Sequence, residues 1–258
     1  MVNKSPVSIY IVSGAESHRI GRLLDSVAGW AAEIVVVLNE EVRDGTEEIC
    51  LRSGALVFRE PWKGFVAQKN SAVAKTNQPW VLNLDADEIV SPELALEIQG
   101  VVRARGTFTI YEFPRCTLYC GRWIRHGDWY PDRVRRLSRR EGTLWVGEEP
   151  HAALQIEESV GRLKSDLLHH TSETINHQVA KTVRYADAFA AHSARDQRRV
   201  TGFDLLFRPV FRFVRGYFFK MGFLDGWQGF AIAWMTAFYT FLRYVRVRED
   251  LENGSNPK

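Results

Sequence analysis

Asp85, Asp87 and Glu88 fall in the stretch WVLNLDADEIVSPEL (Trp80 to Leu94), directly after the apolar run Trp80-Val81-Leu82-Asn83-Leu84. Three carboxylates at the end of a buried strand repel one another, so something positive should sit among them. On an extended chain the Asp-x-Asp spacing puts Asp85 and Asp87 on one side and turns Glu88 away. Two hard oxygen donors side by side suit Mg²⁺ or Mn²⁺, ions that keep open positions for substrate phosphates. A departing nucleotide diphosphate carries the charge that such an ion would neutralise. The alternative is a solvated strand end whose acids cap the next helix. That helix is announced by Ser91 as N-cap, Pro92 at the first helical position and Glu93 in the first turn.

The elements that must carry these residues follow an alternating pattern. Val7 to Val12 reads as a buried strand, and Ile20, Leu23, Leu24 and Val27 lie at helical spacing. Glu33 to Asn39 is a second strand, followed by an Asp44-Gly45-Thr46 turn and a helix closed by Gly54. ALVFRE is a third strand, GFVAQKNSAVAKT a helix, and the carboxylate strand comes next. Such alternation predicts an α/β fold with a doubly wound, mainly parallel sheet, in which ligands sit beyond the C-terminal strand ends. After Glu97 the pattern changes to aromatic and β-branched stretches read as added strands, then to helices from Ile175 onward.

The combination of segments resembles the inverting family 2 glycosyltransferases with a GT-A fold, in particular the lipopolysaccharide core glucosyltransferases. The resemblance rests on IVSGAESHRIGRLLDSV, VVVLNEEVRDGTEEI, WKGFVAQKNSA before LNLDADE, GDWYPDRVRRL, VGRLKSDLLHHTS and YFFKMGFLDGWQGFAIA. It implies a nucleotide-sugar site built from Ser13, Glu16, Asn39, Glu40, Lys69, Asn70, Asp85 and Ala86, with UDP-glucose as donor. It implies a metal, Mg²⁺ or Mn²⁺, on Asp85 and Asp87 with His169 completing the shell; His170 is the neighbouring candidate. Lys69 is then a charge partner for Asp85 or for phosphate. Trp129, Asp132 and Arg136 would line the acceptor site. Three departures stand out: the first strand ends Ser13-Gly14-Ala15-Glu16 without an Asn, the second ends Leu38-Asn39-Glu40, and Ala152 follows His151 where the family carries a carboxylate. Inversion needs a general base. Glu148 and Glu149 are the nearest carboxylates, with Glu149 preferred because Pro150 holds its backbone extended, and His151 beside them. The competing reading is a non-catalytic relative that binds nucleotide sugar or glycan.

Net charge is +3, unevenly spread. From Arg195 to Arg248 ten Arg and Lys face three Asp, about +7, which leaves the remainder near −4. That segment interleaves its cations with Phe, Tyr and Trp, and Gly226 to Leu242 is uncharged but interrupted by Gln228, Thr236 and Thr240. The pattern predicts helices lying in a membrane interface on anionic lipid, with packing against the α/β body as the alternative. The acidic remainder argues against a nucleic-acid partner. The expected organisation is a transferase domain over 1–195, with a nucleotide-sugar half to about residue 100, then a basic aromatic segment over 196–250 and a disordered tail over 251–258. Three cysteines without metal-site spacing predict reduced thiols, and the N-terminal apolar run is too short for a signal peptide. The expected location is peripheral, on the cytoplasmic face of the inner membrane, with a lipid-linked or lipopolysaccharide acceptor.

Overall fold

Alternation along the first strand sorts side chains into two apolar layers. Val7, Ile9 and Ile11 enter one buried cluster and Tyr10 enters another. The computed structural model describes residues 4–104, 107–147, 152–155, 159–171, 174–195 and 200–254. In chain order the elements begin β1 (Ser5–Ser13), α1 (Ile20–Ala28), β2 (Ala31–Asn39), α2 (Thr46–Arg52), β3 (Leu56–Glu60), α3 (Phe65–Ala74) and β4 (Trp80–Leu84). They continue with β5 (Glu88–Val90), α4 (Pro92–Arg103), β6 (Ile110–Tyr119), β7 (Arg122–Ile124), β8 (Asp132–Arg139), β9 (Trp145–Val146) and β10 (Ala153–Leu154). Last come β11 (Val160–Arg162), β12 (Leu167–His169), α5 (Ile175–Arg195), α6 (Gly202–Val214) and α7 (Gly226–Gly254).

The chain divides into two compact units, Met1–Arg115 with Asp132–His170, and Cys116–Pro131 with Thr171–Lys258. This division differs from the expected boundary at residue 195, because α5 packs with α7 and so joins the C-terminal helices. In the first unit β3, β2, β1 and β4 run parallel in that order, and β8 and β6 extend the sheet antiparallel. The α1 and α4 side chains fill one face; Ala72 and Val73 of α3 fill the other with Val35, Val37 and Val81. This is the α/β, mainly parallel fold the pattern predicts. Ser91 caps α4 as expected, its Oγ accepting from the Leu94 N–H at 3.1 Å.

Two features of this unit bear on the site. Residues 88–90, just before the Ser91 cap, form strand β5, which pairs antiparallel with β12 so that Glu88 stands opposite His169. In the β6–β8 ladder Leu137 pairs with Tyr111 and Arg135 with Glu112, which leaves Arg136 as the extra residue of a β-bulge. A bulge re-aims the side chain it carries.

In the second unit Tyr119, Ile124 and Ile232 form a small buried cluster. Helix α6 opens with a capping box between Thr201 and Asp204. Gly229 lets α7 pass against the Gly222 carbonyl, where a Cβ would collide. Helix α7 runs to Gly254, so the tail expected to be disordered from 251 begins as helix; residues 255–258 lie outside the described ones. Among the described residues no helix is long and apolar enough to cross a membrane. The three cysteines are free thiols.

Candidate active site

Asn83 is the last polar side chain of β4 before the carboxylates, and it is fully buried. A buried amide must have its hydrogen bonds met. Here Nδ2 donates to the Tyr10 carbonyl, and Oδ1 accepts from Lys69 Nζ at 3.0 Å and from Arg136 Nη1 at 2.5 Å. The two cations thus meet at the end of the strand. Asp85 lies beside both, its Oδ2 accepting from Arg136 Nη2 at 2.5 Å and its Oδ1 3.6 Å from Lys69 Nζ. Burial opposes ionisation of Asp85, but the charges of Arg136 and Lys69 outweigh it and hold the carboxyl well below its usual range. Burial likewise pulls Lys69 below its ordinary value, with Asp85 working against that shift. The positive partner demanded by the crowded acids is therefore supplied by the protein, as Lys69 and Arg136.

Asp85 to Glu88 is a tight turn rather than extended chain, which corrects the expectation that Glu88 turns away. The Glu88 N–H donates to the Asp85 carbonyl and the Asp85 N–H donates to Glu88 Oε2, both at 2.9 Å. Glu88 is fully buried, and its Oε1 lies 3.1 Å from Arg136 Nη2 and 3.3 Å from Arg115 Nη1. The turn gives Asp87 a separate set of partners. Its Oδ2 lies 3.4 Å from both His169 Nε2 and Arg19 Nη1, while its carbonyl accepts from the His170 N–H. Burial pushes Asp87 up, but the hydrogen bond and charge of His169, with the charge of Arg19, bring it below its ordinary value.

Glu16 joins this side through Arg19, whose Nη2 donates to Glu16 Oε1 at 2.7 Å. Ser13 is buried at the end of β1 and donates to the Gly14 carbonyl. Asn39 accepts from the Glu41 N–H, and the Glu40 carbonyl accepts from Arg59, so both shape the loop after β2. Three assignments change. Ala86 is buried in the apolar core. Asn70 clamps both backbone groups of Trp145, donating to its carbonyl and accepting from its N–H. Arg136, expected on the acceptor side, is locked onto Asn83, Asp85 and Glu88. Asp132 pairs with Arg115 at 2.6 Å. Trp129 belongs to the second unit, edge-on to Tyr119. Glu148, Glu149 and His151 lie outside the described residues.

A cavity of about 560 Å³ opens in the first unit beside Asp85, with five cations (Lys69, Arg115, Arg133, Arg135, Arg136) and two carboxylates, Asp85 and Glu112, on its wall. Trp145, over whose ring Lys69 Nζ sits at 4.3 Å, and Ala152 close one side. No group of three or more His, Cys, Asp or Glu forms a ready-made metal centre among the described residues. The donor chemistry nevertheless fits a divalent ion of the Mg²⁺ type, which takes one or two protein ligands and leaves the rest to water and phosphate. Asp87 with His169 offers such a pair. Sequence reading missed Asn83, Arg115 and Arg19; Asn83 inside an apolar strand was the available signal, since a buried amide requires partners.

Glu88→Ala should therefore be strongly destabilising. It removes the fully buried carboxylate that Arg136 and Arg115 share, leaving them Asp85 and Asp132, and loss of one partner of a buried pair costs about 3–5 kcal/mol. Urea unfolding of wild type and variant measures it, and a difference under about 0.5 kcal/mol would show that the network is not structural.

A model described as Glycosyl transferase family 2 matches residues 8–163. An uncharacterized glycosyltransferase of Rickettsia prowazekii is 27% identical over 260 residues, 94% of this chain and 87% of the relative. The lipopolysaccharide core biosynthesis glycosyltransferase LpsC of Rhizobium meliloti is 28% identical over 259 residues, covering 96% of this chain and 93% of the relative. Among solved structures, the mannosyltransferase PcManGT of Pyrobaculum calidifontis, in complex with GDP-Man and Mn²⁺, aligns with a TM-score of 0.53 at 12% identity. That alignment covers 96% of this chain and 88% of the other, a likeness of fold, the GT-A fold.

Proposed function

The chain belongs to glycosyl transferase family 2, and we propose that within this family it moves a hexose, glucose first, from a nucleotide sugar to a lipopolysaccharide-core or other lipid-linked acceptor, with inversion. The observation that carries the reading is the strand end itself. Asp85 and Asp87 leave β4 at the C-terminal edge of the parallel strands, each with its own cationic partners, beside the cavity of about 560 Å³. Ligands of open α/β sheets bind at that edge. UDP-glucose is the donor proposed, with Asn39 and Glu40 on the loop where the base would lie.

Asp87 and His169 would hold Mg²⁺ or Mn²⁺, whose contribution is to neutralise the diphosphate as it departs. The PcManGT complex with GDP-Man and Mn²⁺ supports a metal and a nucleotide sugar in this fold. The chain's own residues do the rest. Asn83 and Glu88 hold Arg136, and Arg136 with Lys69 orients Asp85 toward the donor. Arg115, Arg133 and Arg135 give the cavity a positive wall for anionic groups of donor or acceptor. Glu149 takes the proton of the attacking hydroxyl, with Glu148 and His151 beside it. The work would be done on the cytoplasmic face of the inner membrane, where nucleotide sugar and lipid-linked acceptor meet.

Thermal shift against a panel of nucleotide sugars, with and without Mn²⁺, identifies the donor, and metal-dependent release of nucleotide from it tests turnover. A chain that binds the donor yet never releases nucleotide, with acceptor-rich membrane extract present, would be a non-catalytic relative.

A further inference from the structure

Helices α6 and α7 of the second unit turn apolar side chains outward in two regular stripes. On α6, Phe203, Leu206, Phe207, Val210 and Phe211 recur at helical spacing, and each is more than half exposed. On α7, Trp227, Phe230, Trp234, Phe238 and Phe241 form the second stripe, at 39–59% exposure. The stripes meet where Phe213 packs edge-on against Phe230 and Trp234, with ring centroids 5.7 and 6.0 Å apart. Phe218 and Phe219, the latter 73% exposed, extend the patch along the connection. A groove of about 830 Å³ follows α6, with Arg208, Arg212 and Arg243 beside Phe203, Phe207 and Phe211. Exposed apolar surface on this scale marks a contact face.

Charge identifies the partner. Between Gly202 and Arg248 there are seven Arg and Lys and two acids, Asp204 and Asp225, both buried. The exposed charges from Gly202 to Arg248 are positive, and the exposed acids of α7, Glu249, Asp250 and Glu252, lie beyond them in its last turns. Arg212, Arg215 and Lys220 converge on the carboxylate of Asp128, at 3.7, 2.8 and 3.0 Å, so the cluster keeps an excess of positive charge. The exposed acids nearby, Asp187 of α5 and Glu249 and Glu252 in the last turns of α7, are engaged by Arg246 and Arg248, so a second copy seated face to face over Arg208, Arg212, Arg215 and Lys220 would bring cations against one another. Aromatic rings flanked by Arg and Lys instead match the boundary between lipid headgroups and acyl chains, and no described helix is long and apolar enough to span.

We propose that this face of α6, the connection after it and α7 lies flat on an anionic lipid bilayer, with Phe and Trp among the headgroups and Arg212, Arg215 and Lys220 toward lipid phosphates. The choice of partner rests on the proposed membrane-side function, but vesicle binding needs no turnover, so the two can fail separately.

The full chain is sedimented with phosphatidylcholine vesicles and with vesicles of about 30% phosphatidylglycerol. Binding to the anionic vesicles should exceed binding to the neutral ones by about tenfold or more and weaken as salt rises from about 0.05 to 0.5 M. Phe207→Glu with Phe211→Glu should cut it by about tenfold or more, because both rings would then carry charge into the interface. Leu96→Glu, an exposed position of the first unit, should leave it unchanged. Circular dichroism and the donor-induced thermal shift verify that the variants fold, and Phe219→Glu serves if the double variant does not. Wild-type protein that ignores both vesicles overturns the proposal. So does a dimer, seen by sedimentation velocity, that the same substitutions dissolve, since the face would then be covered by a second copy.

Discussion

Asp87→Ala protein is expected to keep its fold and lose metal-dependent donor binding, with affinity for the nucleotide sugar falling by at least about 100-fold. Residues that merely support a metal ligand already cost about 10- to 100-fold when changed, so loss of the ligand itself should reach or pass that range. The side chain is well placed for a selective effect. Its oxygen faces His169 and Arg19 at 3.4 Å and takes no part in the Asn83–Arg136–Glu88 network. Breaking such partly exposed ion pairs costs about 1 kcal/mol or less. Titration calorimetry with UDP-glucose, in Mn²⁺ and in chelator, reads the effect directly. Undiminished Mn²⁺ dependence in the variant would move the metal away from Asp87. Asp85→Ala cannot serve as the same test, because it would strand Lys69 and Arg136 and confuse a lost ligand with a lost scaffold.

The contrast between those two aspartates shows which part of the site was legible in the sequence. Strand β4 was readable because five apolar-run residues precede the acids, and the helix after it because Ser91, Pro92 and Glu93 are local signals. Alternating strands and helices gave the parallel order, and the carboxylates had to lie at its ligand edge. What could not be read were distances in sequence. Arg136 reaches Asp85 from 51 residues away, and does so through a bulge that no local residue type announces. An extended chain would turn Glu88 away from the two aspartates. The reciprocal bonds between Asp85 and Glu88 fold it into a turn instead, and the burial of Glu88 follows. The resemblance places Asn70 at the nucleotide, yet its amide finds both backbone groups of Trp145 within 2.9 Å. Pairing of this kind depends on which strands become neighbours, and the 3.6- and 2-residue periods carry no information about that.

Glu149→Gln is expected to lower turnover by about 10²–10⁴-fold, the usual cost of losing a general base, while leaving donor affinity within about twofold. The segment that carries Glu149 joins β9 to β10, which pair antiparallel through Val146 with Ala153 and Trp145 with Leu154. Both of its ends are fixed at the cavity wall. Trp145 is held by Asn70 and by its indole N–H donating to the Tyr10 hydroxyl at 2.8 Å, and Ala152 packs on the apolar cluster behind it. A methyl group there cannot accept a proton, and the base we propose comes from the residues just before it. A carboxylate is ionised and ready to accept a proton at neutral pH. Between the two glutamates the choice falls on Glu149, since a residue before proline is biased toward extended backbone. Rapid-quench turnover of Glu149→Gln, Glu148→Gln and His151→Ala, each with a donor-binding control, separates the three. Full activity in Glu149→Gln with loss in Glu148→Gln makes the neighbour the base, and full activity in all three variants places it outside this segment.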